Sequence, residues 1–131
     1  MDHIGKILLD YLQEISDTLG ISAYSYVIPE EAILPFVVYE ATNLEYTPDW
    51  YNNDNFIFRI MVYDKIENDA KHKLKDITKL IKKGRFIDKS DKGNIDLDPL
   101  IKSIEKVTYI ENRKCYMAYQ DFDVTVKRVN E

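Results

Sequence analysis

Ile4, Leu8, Tyr11, Leu12, Ile15 and Leu19 recur at the spacing of one helical face, so residues 2–19 are predicted to form an amphipathic helix, with Gly20 placed as its C-terminal cap. The pattern then turns extended. Residues 23–28, rich in Tyr and β-branched side chains and closed by Pro29, read as a short strand. Pro35 opens a second strand over 36–42 that is apolar on both faces and is therefore expected inside a sheet. Residues 43–55 follow as a polar and aromatic hairpin loop holding Pro48, Trp50, Tyr51, Asn52, Asn53 and Asp54, longer than the usual two to five residues. A third strand covers 56–63, with Phe56, Phe58, Ile60 and Val62 on one face and Ile57, Arg59, Met61 and Tyr63 on the other.

A second helix is predicted over 68–83, with Ala70, Leu74, Ile77 and Ile81 on one face, Lys79, Lys82 and Lys83 in a basic last turn, and Gly84 as the stop. Residues 88–98 are polar and irregular. Asp98-Pro99 has the form of an N-cap followed by proline at the first helical position, which predicts a short helix over 100–106; a strand starting near Ile104 is the competing reading. Residues 107–111 and 116–129 read as two strands joined at Asn112-Arg113, and in the last of them Phe122, Val124 and Val126 alternate with Asp121, Asp123, Thr125 and Lys127. The order α-β-β-β-α-(α)-β-β predicts one α+β domain over residues 1–131, a mainly antiparallel sheet with two principal helices packed on one face.

Composition supports a folded chain: 131 residues, 45% apolar, with 4 Gly and 4 Pro, which excludes disordered and collagen-like classes. A lone cysteine, Cys115, forms neither an intrachain disulfide nor a thiolate zinc site, and the chain start lacks the basic and apolar regions of a signal peptide. With no apolar run near the roughly 18 residues of a membrane span, a soluble protein made inside the cell is expected. The net charge of -5 argues against broad binding to nucleic-acid backbones. Its distribution is uneven. Residues 1–64 hold 11 acids and 2 bases (-9), and residues 65–131 hold 12 acids and 16 bases (+4), together -5. Such polarity suits acidic and basic surfaces facing one another between copies, or two differently charged solvated faces.

Candidate chemistry is sparse. The run from Asp88 to Pro99 places Gly93, Ile95 and Asp96 at the sixth, eighth and ninth places of a calcium loop, but Lys92 and Pro99 occupy the fifth and twelfth, where oxygen ligands belong. No metal or cofactor is expected. His3 and His72 read as solvated helix residues, the latter four positions before Asp76. Cys115 beside Lys114 has a route to a lowered pKa, but without a placed base it reads as a passive strand residue. Asp121 and Asp123 share the polar face of their strand and read as exposed carboxylates. No phosphate loop or nucleophile motif is present, and no enzymatic activity is expected. The distinctive feature is 10 Tyr, 5 Phe and 1 Trp. Tyr46, Asp49, Trp50 and Tyr51 on the long loop form the candidate protein interface, since Tyr and Trp are favoured where a partner desolvates a surface; a loop folded back over the sheet is the alternative.

The first helix, Leu34-Pro35-Phe36-Val37-Val38-Tyr39, Leu44-Glu45-Tyr46-Thr47, the polar loop and the strand Phe56-Ile57-Phe58-Arg59-Ile60-Met61-Val62-Tyr63 resemble the tail-terminator (tail-completion) proteins of long-tailed bacteriophages. The resemblance covers most of residues 1–83 and, more loosely, the final strand, and leaves 85–106 unmatched. It implies a structural virion protein at the head-proximal end of the tail: a ring, usually a hexamer, that stops growth of the tail tube and presents the surface that joins the head. The implied partners are further copies of the chain, the tail tube protein and the head connector, with genomic DNA passing through the ring unbound and no membrane involved. A head-completion or connector adaptor of the phage neck is the alternative, and a small-molecule-binding α+β domain a more distant one.

Overall fold

In the computed structural model, residues 3–45, 53–81, 84–87, 94–101 and 103–129 are described, with side-chain surroundings given for 9–41, 56–81, 99, 101 and 103–125. Helix α1 (His3–Leu19) is followed by strands β1 (Ser22–Ser25), β2 (Phe36–Glu45) and β3 (Asn53–Asp64), helix α2 (Glu67–Leu80), and strands β4 (Gly84–Ile87), β5 (Asn94–Ile101), β6 (Lys106–Ile110) and β7 (Cys115–Val129). One sheet holds all the strands, in the order β1-β2-β3-β7-β5-β4, with β6 also paired to β7. Every pairing is antiparallel except β1 with β2. The chain is an α+β protein, as its element pattern predicts.

Both helices lie on the same sheet face. Leu12 and Ile15 from α1 and Ala70, Leu74 and Ile77 from α2 close over Val37, Tyr39 and Ala41 of β2, Phe56, Phe58, Ile60 and Val62 of β3, and Ala118, Phe122 and Val124 of β7. The helical stripes and the strand alternation meet as their periods require. Gly20 takes φ +71, and the bonds Gly20 N to Asp17 O (3.2 Å) and Ile21 N to Ser16 O (3.0 Å) end α1 as a Schellman turn. The opposite face carries a smaller core, Phe36, Val38, Met61, Tyr63 and Cys115, packed by Ile28, Ala32 and Leu34 from the β1–β2 connection. That connection explains why β2 is apolar on both sides.

The structure corrects the sequence reading in the C-terminal half. Among the described residues no helix covers 100–106. Residues 94–101 are strand β5, and Pro99 sits opposite Val124. Among the described residues β4 pairs β5 only as far as Leu97, so Pro99 has no described strand neighbour on the outer side of β5 to which it would have to donate. Of the stretch read as irregular, 94–98 belong to β5, and residues 84–87 before it, for which the sequence predicts no element, form β4. Helix α2 stops at Leu80 rather than 83, with its first turn carrying Glu67 and Asp69 and its last Lys79, charges suited to the dipole.

Strand β7 is long enough to take β5 and β6 end to end along one edge. Ile101 pairs with Phe122 and Lys106 with Tyr119, so the outer chain has four residues where β7 has two. Ser103 stitches this break: its N–H donates to Asp121 O (3.4 Å), its Oγ accepts from Asp121 N (3.1 Å), and its carbonyl accepts from Gln120 Nε2 (3.1 Å). Between β6 and β7, Glu111–Arg113 form a 3-10 turn closed by Lys114 in the left-handed region at φ 49.

Candidate interaction surface

The residues named for an interface on sequence grounds, Tyr46, Asp49, Trp50 and Tyr51, lie outside the described residues. Their flanks are placed. Glu45 pairs with Asn55 at the end of the β2–β3 hairpin, Asn53 pairs with Lys127, and Asn94 pairs with both Ile87 and Val129. The chain therefore leaves and re-enters the sheet at 45 and 53, at 87 and 94, and at 129, all at one end.

The other sequence candidates fall apart as chemistry. Asp96 and Asp98 lie within β5, opposite Arg85 and Thr125, rather than in a single calcium loop; residues 88–93 lie outside the described residues. Asp121 and Asp123 are not alike, as their shared face had suggested. Asp121 is half-buried and takes Arg59 in a bidentate cross-strand pair, Nε to Oδ1 at 2.9 Å and Nη2 to Oδ2 at 3.0 Å, whereas Asp123 is exposed. The hydrogen bond to Asp121 raises the Arg59 pKa further. Cys115 is buried, and burial pushes its thiol up, with Asp64 adding to the rise and Arg113 opposing it. This is the reverse of activation. His72 is exposed on α2, and the side chain of His3 lies outside the described residues.

Several polar groups that hold the fold escaped the sequence reading. Ser16 and Tyr39 bond hydroxyl to hydroxyl between α1 and β2, both almost fully buried. Burial, offset in part by that bond, pushes Tyr39 up to about 12. Asp64 at the end of β3 accepts from Lys65 N (2.7 Å) and from Lys73 Nζ (2.6 Å), tying β3 to α2. Their only sequence signal was a polar residue on an otherwise apolar face, such as Ser16 beside Leu12, Ile15 and Leu19.

Exposed apolar residues fall in two groups, one in the β1–β2 connection and one along β5 and β6. Beside β1, Val27 is 74% and Ile33 81% exposed, with Glu30 and Glu31 exposed between them. Along β5 and β6, Ile101 is 70%, Ile104 77% and Tyr109 49% exposed, with Lys106, Glu111 and Lys114 exposed nearby. Asp10, Glu14 and Asp17 are exposed on α1, over β1 and β2, while α2, over β3 and β7, exposes both signs: Glu67, Asp69 and Asp76 with Lys75 and Lys79. The charge split of the sequence therefore does not become a division between an acidic and a basic helix. Among the described residues no helix is long and apolar enough to cross a membrane, and no three His, Cys, Asp or Glu side chains converge as metal ligands. No protein-family model matches the chain, and no curated protein matches it in sequence.

Proposed function

We propose that the chain is a ring-forming structural protein of a phage tail, a tail terminator that caps the tube and offers the head-joining surface. The observation that carries this reading is that exposed apolar residues form two different surfaces, Val27 and Ile33 in the β1–β2 connection and Ile101, Ile104 and Tyr109 along β5 and β6. A head-to-tail contact uses two different surfaces on every subunit and closes into a ring when the rotation between neighbours allows it. The order helix, strand, long hairpin, helix, C-terminal strands agrees with the order expected from the sequence resemblance. Capping requires a ring with one face matched to the growing tube and another that accepts no further tube subunit. The hairpin end, where Tyr46, Asp49, Trp50 and Tyr51 belong in sequence, is the candidate tube- or head-facing surface.

Deleting the gene from its phage should give tails of irregular, excessive length that fail to join heads, with joining restored by purified protein. Normal-length, head-attached tails in the deletion refute the reading. Tails of normal length with heads that leak DNA favour a connector adaptor of the neck.

A further inference from the structure

Strand β2 has ten residues, but β1 pairs only with the first four, Phe36 to Tyr39. Beyond them one side chain stands in for a strand. Tyr26 N donates to Tyr39 O (3.1 Å), the backbone then turns away with Tyr26 at φ 65, and the Tyr26 hydroxyl both accepts from Ala41 N (3.1 Å) and donates to Ala41 O. A single phenol thus occupies the donor and the acceptor that a neighbouring strand would take. Among the described residues no strand pairs with β2 on this edge past Tyr39. An open edge of this kind is a template for another chain unless it is blocked.

We propose that the outer edge of β2, from Ala41 to Glu45, is a docking edge for strand β6 of a second copy of this chain, and that Tyr26 is the removable plug that keeps it shut in the free chain. The lengths agree: the edge from Ala41 to Glu45 spans five residues, and β6, Lys106–Ile110, also has five. Among the described residues β6 pairs only with β7, so its outer edge is open. β7 already accepts β5 and β6 end to end, and a docked β6 would lie beside β2 end to end with β1 in the same manner. Exposed apolar surface adjoins both edges: Val27 follows the Tyr26 plug at the β2 edge, and Ile104 and Tyr109 lie before and within β6. The contact is head-to-tail, and it supplies the subunit joint of the proposed ring whatever that ring caps.

The test is made on the purified full chain by sedimentation velocity over a concentration series. Tyr26→Phe keeps the ring and deletes the plug's hydrogen bonds, and Tyr26→Gly removes the plug while suiting the left-handed backbone. Both variants should self-associate at least about tenfold more tightly than the parent, and the amides of residues 41–45 should gain hydrogen-exchange protection as concentration rises. Adding Ile104→Asp, which places a charge on the exposed apolar surface beside β6, should return association to the parental level. Natively folded Tyr26→Phe and Tyr26→Gly proteins that associate no more than the parent overturn the plug. Association that survives Ile104→Asp overturns β6 as the occupant. Either failure leaves the gene-deletion experiment free to succeed, since it does not depend on which surfaces close the ring.

Discussion

The hydroxyl pair Ser16–Tyr39 makes a double-mutant cycle informative, because each partner is enclosed: Ser16 is 0% and Tyr39 1% exposed. Ser16→Ala leaves the Tyr39 hydroxyl buried with nothing to bond, a desolvation cost of about 1–3 kcal/mol. Tyr39→Phe is milder. The freed Ser16 hydroxyl sits in α1 and can turn to the carbonyl one helical turn back, that of Leu12, so a loss near about 1 kcal/mol is expected. Removing both hydroxyls leaves no orphan, and the double variant should be less destabilised than the sum of the singles by about 1 kcal/mol or more. Urea unfolding followed by far-ultraviolet circular dichroism gives the three differences, with m held constant as the check that only stability has changed. In melting temperature each kcal/mol amounts to about 3–5 °C for a domain of this size. Additivity to within about 0.5 kcal/mol refutes the claim that the two hydroxyls satisfy each other.

The same tyrosine sets an alkaline limit. Its folded pKa, about 12, exceeds the ordinary value of 10.0, so the stability due to its neutral form is complete below pH 10 and is lost as pH rises toward 12. That loss is on the order of 2–3 kcal/mol, and Tyr39→Phe should flatten stability across this window when compared with the parent in alkaline unfolding titrations. Tyr63, also raised by burial, acts in the same direction. Leu12 is fully buried between α1 and the sheet, so Leu12→Ala should cost about 2–5 kcal/mol in urea unfolding, and a loss below about 0.5 kcal/mol would mean that the helix packs through another face.

Much of the N-terminal half was legible in the sequence because its signals are local. The stripe Leu12, Ile15 and Leu19, the alternation of Phe56, Phe58, Ile60 and Val62, and Gly20 after a helical run each state their element within a few residues. The face pattern of β7 was legible for the same reason. Tertiary structure decided the rest. Asp98-Pro99 has the local form of a helix start, yet pairing with β7 makes it strand, because the sheet supplies backbone partners over the length of β5. The roles of Ser103, Tyr26 and Asp121 arise from partners 15 to 62 residues away, and no local pattern carries that information. The apolar patches were hidden for a related reason. Val27, Ile33 and Ile104 look like core residues in a sequence, since hydropathy is a property of the residue, whereas exposure depends on which elements are left to cover it once the sheet has formed.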